Sequence, residues 1–418
     1  MPTTRIDLTA PEVVADPYPH FAEERRRHPV AWHEASGMWL TFDHASGDAV
    51  LRRRGLGRIW TDKQPAERFE PFNLLHRNQM MENEPPDHTR LRRLVARAFA
   101  RGHVERLRPR VRALAEGLLD EVDPRGFDVV GEYAEPLPVL VVAELLGVPT
   151  DLAPQLRAWS QAIVRMYEVA PTVEEEEAAI RAATEFAEVV RGLARERAAS
   201  PRDDLVSDLV AAEVSVDPSG AGGRLSEDEV VASAVLLLNA GHEASVNVFG
   251  NGLVAMLSRG LSPEPGRLPE CVEEMLRFDS ALQLFERTAT VDVRIGDVTV
   301  EEGQKIAALL GAANRDPEVF DDPDTFVPTR DPNPHLAFGA GVHFCLGAPL
   351  ARMELAESLG LLWSRMPGLE LAGEPTPRGT FVLRGYKAVH VRTTHDTVAK
   401  PTTQGTPTRE RSIHDSSA

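Results

Sequence analysis

The chain has 418 residues, 42% of them hydrophobic and 26% charged, the balance of an ordinary globular protein. Its 64 acidic and 46 basic residues leave a formal net charge of −18, which excludes general affinity for nucleic acid because that needs a basic footprint. Two cysteines, Cys271 and Cys345, exclude a disulfide framework and any four-cysteine metal centre, and point to a reducing, cytoplasmic compartment.

At about 150 residues per domain, length alone suggests two or three units. No repeat and no clear linker divides the chain. Residues 1–10 lack the charged-then-apolar order of a signal peptide. No stretch reaches the roughly 18 uninterrupted apolar residues of a membrane span.

Taken in chain order, most of residues 87–260 reads as helix. Pro85-Pro86 halts the chain and Asp87 is an N-cap for an arginine-rich helix to about Ala100. The acidic run Glu174–Glu177 reads as the solvated start of another helix. Val216–Arg224 is a Pro/Gly-rich loop. Ser226 and Glu229 form a capping box before an apolar pattern that runs to about Ser258, roughly 45–50 Å at 1.5 Å per residue. That helix is hydrophobic on most faces, so it is expected to be buried.

A short helix with Pro269 in its first turn ends near Phe278. The period then changes to two: Val291, Val293 and Ile295, a Gly296-Asp297 turn, then Val298 and Val300 predict a hairpin. Asn314–Pro334 carries five prolines and reads as irregular coil. Leu346–Met366 is helical and stops at Pro367-Gly368. From Thr393 onward the chain has little to bury and reads as a disordered tail. The fold class is mainly α, with a minor β region toward the C-terminal half.

The segment Phe338-Gly339-Ala340-Gly341-Val342-His343-Phe344-Cys345-Leu346-Gly347 delivers one cysteine to a helix N-terminus. The helix end favours a thiolate there. Such a sulfur has three uses. It can be a nucleophile with His343 as base, although no Asn or Asp partner stands nearby. It can be inert and buried. It can be the single thiolate ligand of a haem iron.

The segment resembles, at every fixed position, the haem loop of the cytochrome P-450 family: Phe-Gly-x-Gly-x-His-x-Cys-x-Gly, followed by Leu350-Ala351-Arg352. The resemblance extends from about Asp16 to Thr393. It implies one haem-binding domain over 16–393, with 1–15 as an arm and 394–418 as a tail, and a long central helix over the haem. It implies that Cys345 ligates the iron of haem b, that Phe338 packs near the sulfur, and that Gly339, Gly347 and Ala240 lie along the ring. His343, His88, Arg92 and Arg287 are expected on the propionates. Glu274 and Arg277 match the family's Glu-x-x-Arg, and Arg330 is placed to join them. Arg90, Arg93, Arg97 and Arg101 form the basic face expected to receive an electron-transfer partner.

Ala240-Gly241-His242-Glu243-Ala244-Ser245 lies mid-way along the long helix. A zinc-protease reading of His242-Glu243 fails because Val246 stands where a second His is required. In the family this segment gates dioxygen and relays protons through an acid and a Thr. Here Glu243 keeps the acid, Ala244 replaces the Thr, and Ser245 is turned about 100° away. Leu237, Ala240, Ala244, Leu284, Phe285 and Phe381 are the expected substrate pocket, with Trp60–Leu75, Met80 and Met81 as a lid.

The resemblance implies a haem-thiolate monooxygenase of a medium-sized, largely apolar small molecule, with electrons from a separate ferredoxin and ferredoxin reductase. Proton delivery is altered by Ala244. Oxidative coupling, a non-catalytic haem ligand-binding protein and, more remotely, a cysteine hydrolase are the competing classes. Cys271 is expected to be a small buried residue.

Overall fold

Ser226 starts the longest helix, Glu227–Leu257: its hydroxyl accepts the Glu229 N–H and the Glu229 carboxylate accepts the Ser226 N–H. These 31 residues are buried on nearly every face, as the unbroken apolar pattern requires. The computed structural model describes residues 1–99, 103–168, 171–214, 223–264 and 266–393. The tail beyond 393 and most of the Val216–Arg224 loop lie outside the described residues.

Helices Pro136–Leu146, Val173–Ala199 and Leu268–Phe278 pack directly on the central helix. One apolar cluster runs through them, from Phe69 to Val391. The acidic run starts Val173–Ala199, as expected, but it is not merely solvated. Glu176 and Glu177 hold Arg68 of the helix Ala66–Arg77 at 2.7 and 2.8 Å. Cys271 is fully buried against Met256, its sulfur 3.6 Å from the thioether, and burial pushes its thiol up to about 12.

The β region differs from the expectation. The Val293–Ile295/Val298–Val300 hairpin is present, with Ile295 opposite Val298. The largest sheet, however, has six strands in the order Thr3–Thr4, Val30–His33, Met38–Thr41, Lys305–Leu309, Leu284–Ala289, Leu56–Gly57. Four of these come from the first sixty residues. Ala31, Leu40 and Ala307 face one apolar cluster and Val30, Trp39 and Ile306 another, so these strands are covered on both sides and show no alternation. Within residues 1–15, Thr3–Thr4 pairs with Trp32 and His33, and Ile6, Leu8 and Val13 are buried.

Among the described residues, no helix is long and apolar enough to cross a membrane.

Candidate active site

The cysteine loop closes on itself: the Cys345 N–H donates to the Phe338 carbonyl at 2.9 Å. Gly341 has φ +71°, and a Cβ there would lie 2.5 Å from the Leu51 carbonyl oxygen. Only glycine lets the loop approach the end of the helix His44–Arg52 so closely. Gly347 leads into the helix Ala348–Arg365, and the N–H groups of Gly347 and Ala348 reach the Cys345 sulfur. Burial nevertheless wins: it raises the thiol pKa above its usual value against those donors and the charges of Arg92 and Arg352. The N–H groups of the helix end favour the thiolate, as expected, and burial opposes them. A metal cation bonded to the sulfur would favour the thiolate further.

Behind the loop, Arg352 lies over the Phe338 ring at 4.5 Å and grips Glu273 at 2.6 Å, which also meets His335 at 3.0 Å. Glu274 and Arg277 are both fully buried and paired at 2.7 and 2.8 Å. Arg330 joins Glu274 at 3.2 Å, and Asn333 and the Val327 N–H complete the carboxylate. The triad thus forms as expected. The Glu273–Arg352–His335 cluster beside it was not foreseen, since its three members lie far apart in sequence.

A second cluster gathers histidines and arginines. His88 is buried, its ring centroid is 4.4 Å from that of His343, and its Nε2 finds no partner among the described residues. Burial, then His343 and Arg92, push its pKa down to about 4. Arg92 donates to the Phe344 carbonyl at 2.7 Å. Arg287, buried in the strand Leu284–Ala289, is pushed down to about 10 by burial and by Arg58. His343 is only partly available, because Glu84 Oε1 takes its Nε2 at 2.7 Å and also accepts the Arg58 N–H at 2.8 Å. Arg58 is itself paired with Glu82. Glu84, next to Pro85-Pro86, and Arg58 carried no sequence signal for this role. Arg287, buried and without an ion pair among the described residues, is favoured by an anion that joins it. The two propionates are such anions.

The third feature is a stripe on the central helix. Ala240 is exposed, and Leu237, Gly241 and Ala244 are partly exposed, on a helix otherwise buried. At i, i+3, i+4 and i+7 they share one face, so that face borders a cavity. Glu243 is buried beside the stripe. Its Oε2 accepts from Arg378 Nη1 at 2.5 Å, and its Oε1 has no partner among the described residues. Burial raises its pKa, against the pull of Arg378. His242, buried near Ser160, is pushed down to about 3 by burial and is neutral. Ser245 is buried on the flank away from the stripe.

A sequence profile described as Cytochrome P450 matches residues 268–365. The chain is 39% identical over 338 residues to Cytochrome P450 107B1 of Saccharopolyspora erythraea, covering 78% of this chain and 80% of that protein. It is 36% identical over 410 residues to 6-deoxyerythronolide B hydroxylase of the same organism, covering 93% and 99%. The solved structure of P450BioI in complex with hexadec-9Z-enoic acid ligated acyl carrier protein superposes with a TM-score of 0.85 at 30% identity, covering 91% of this chain and 100% of that one. The chain belongs to the cytochrome P450 family. It is a monooxygenase whose cofactor is haem.

Within this cytochrome P450 some expected positions move. Phe381 is not a pocket residue: it is buried in the core cluster of Phe21 and Phe42, its ring 6.3 Å from that of Phe21. Leu284 packs against the same cluster. Successive strand residues face opposite ways, so Phe285 stands on the other side, under Arg58 and Arg287 at 5.6 and 5.5 Å. Leu237, Ala240 and Ala244 remain together. Of the basic face, Arg90 is withdrawn, since it pairs with Glu229. Arg93 is exposed, and the side chains of Arg97 and Arg101 lie outside the described residues. In the expected lid, Trp60 stacks on His76 at 4.5 Å, Phe69, Phe72, Leu75 and Met80 are buried, and Met81 is partly buried.

Proposed function

We propose that this cytochrome P450 oxidises a medium-sized, largely apolar natural product. The observation that carries the reading is the open stripe Leu237, Ala240, Gly241 and Ala244 on an otherwise buried helix, which offers apolar surface to a ligand. The name of the 6-deoxyerythronolide B hydroxylase relative supports the same substrate class.

Cys345 ligates the iron of haem b, and Phe338, Gly339, Gly347 and Ala240 border the ring. His88, Arg92, Arg287 and the remaining donor capacity of His343 hold the propionates. Bound there, haem supplies dioxygen activation. The chain's own residues orient the substrate on the stripe, exclude water and handle protons. Glu243 Oε1 is the proton-handling atom, while Arg378 fixes Oε2. Ala244 presents a methyl group where the family carries a hydroxyl, and buried Ser245 does not replace it. A substrate hydroxyl or an ordered water completes the relay.

Electrons come from a separate ferredoxin and ferredoxin reductase. The exposed Val342, Phe344 and Arg93 mark the face for the ferredoxin. The compartment is the cytoplasm, consistent with two unpaired cysteines. The apolar cluster from Phe69 to Val391 supports residues 16–393 working as one unit.

The test is turnover with surrogate redox partners under isotope-labelled dioxygen. One labelled oxygen in the product supports hydroxylation or another oxygen insertion. Because Ala244 removes the family hydroxyl, a second reading stands beside it: oxidative coupling, which leaves the product unlabelled.

A further inference from the structure

A surface cleft of about 530 Å³ opens at the C-terminal end of the central helix, where Asn251, Val254 and Ala255 line it. Ala22, Asp279 and Tyr386 line other sides. None of its residues belongs to the cysteine loop or to the open stripe. Asn251 lies seven residues past Ala244, about 10 Å along the helix. A cleft of this size holds one small ligand.

Asn251 is buried, and its Nδ2 is committed to the Asp279 and Arg384 carbonyls at 3.0 and 3.1 Å. Its Oδ1 has no partner among the described residues. A buried acceptor left unpaired favours a donor that reaches it. Asp279 Oδ1 accepts from Tyr18 Oη and Arg384 Nε, both at 2.7 Å, while its Oδ2 makes no hydrogen bond among the described residues. The half-buried Tyr386 phenol stands in the field of the same groups: burial and then Asp279 raise its pKa, and Arg384 and Arg259 oppose them.

The charges narrow the ligand class. Asp16, Asp279 and Asp324 stand against Arg259, Arg315 and Arg384, so the cleft has no net charge to draw an ion. Arg384 pairs with Asp279 and Arg315 with Asp324, each at 2.7 Å. Asp16 and Arg259 have no ion pair among the described residues, but both are exposed, where water screens them. The deeper groups are mixed in sign: Asn251 Oδ1 and Asp279 Oδ2 accept, and the Tyr386 hydroxyl donates or accepts. Hydroxyls, which do both, satisfy such a set. Val254 and Ala255 add apolar surface for C–H groups. Hydroxylated edges and C–H faces together are the chemistry of a sugar ring.

We infer that this cleft binds a neutral, polyhydroxylated ring of monosaccharide size, held by Asn251 Oδ1, Asp279 and Tyr386. The site is separate from the haem and from the surface proposed for the oxidised substrate.

The test is saturation-transfer NMR on the haem-loaded enzyme with D-glucose, D-galactose, D-mannose and myo-inositol, beside glycine, methylammonium and acetate. At least one ring is expected to bind saturably, with the three ions weaker by about tenfold. Asn251→Leu removes the buried acceptor. Ala22→Trp fills the cleft from its half-buried rim and should keep the wild-type haem spectrum. Each is expected to weaken ring binding by about tenfold. Should Asn251→Leu fail to fold, Ala22→Trp decides alone. No saturable binding by any of the four rings overturns the site, and so does binding that is unchanged in either folded variant. An ion that binds as tightly as the best ring overturns the ligand class.

Discussion

Arg378 Nη1 donates to Glu243 Oε2 at 2.5 Å, across 135 residues of sequence. It ties the acid of the central helix to the C-terminal β region, where the Arg378 Nε also reaches the Tyr386 carbonyl at 3.4 Å. The pair leaves one carboxylate oxygen fixed and the other open.

Arg378→Leu leaves Glu243 buried without its cation, a loss of about 3 kcal/mol. The pH dependence gives the sign. Burial already raises the Glu243 pKa above 4.5 in the folded state, so its contribution is fully present below 4.5 and falls as pH rises through the folded value. Removing Arg378 raises that value further. Melting temperature against pH should show the variant close to wild type near the unfolded pKa and increasingly destabilised toward neutrality. Glu243→Gln in the same chain should remove that extra slope.

Gly341→Ala and Gly379→Ala compare two glycines with nearly equal φ, +71° and +73°. Both variants pay the left-handed strain of about 1–2 kcal/mol. Gly379 meets nothing within 4 Å, whereas a Cβ at Gly341 meets the Leu51 carbonyl oxygen at 2.5 Å. Urea denaturation should therefore show Gly341→Ala the less stable, and it alone should lose haem.

Glu274→Ala leaves the fully buried Arg277 and the nearly buried Arg330 without their carboxylate. The expected cost is about 3–5 kcal/mol. Haem content and denaturation midpoint should fall together. Glu274→Gln keeps part of the hydrogen bonding and should fall less.

Glu273 works at lower pH. Burial opposes its charge, but Arg352 and His335 overcome that and hold it down to about 2. Its contribution is present above 4.5 and is lost as pH falls from there to about 2. Glu273→Gln should flatten the acid limb of the stability profile in that window and leave the neutral limb parallel to wild type.

The helices were legible because their signals are local. Ser226 with Glu229, the apolar run after them and the Pro367-Gly368 stop all act within a few residues. The cysteine loop was legible for the same reason. Val30–His33 and Met38–Thr41 were not, because burial on both faces erases the period of two. Phe381 looked like a pocket residue until its neighbours, Phe21 and Phe42, came from the opposite end of the chain. Arg58, Glu84 and Arg378 are lone charged residues in sequence, and only the fold sets them against Arg287, His343 and Glu243. Long-range electrostatics is the part that no local pattern carries.

The central claim is that Cys345 gives the haem iron its thiolate. The most direct measurement is the absorption spectrum of the reduced, carbon monoxide-bound holoprotein beside that of Cys345→Ser. Wild type should show the strongly red-shifted main band of a thiolate-ligated complex, and Cys345→Ser should lose it. A haem-replete wild type without that band, or a variant that keeps it, would contradict the account.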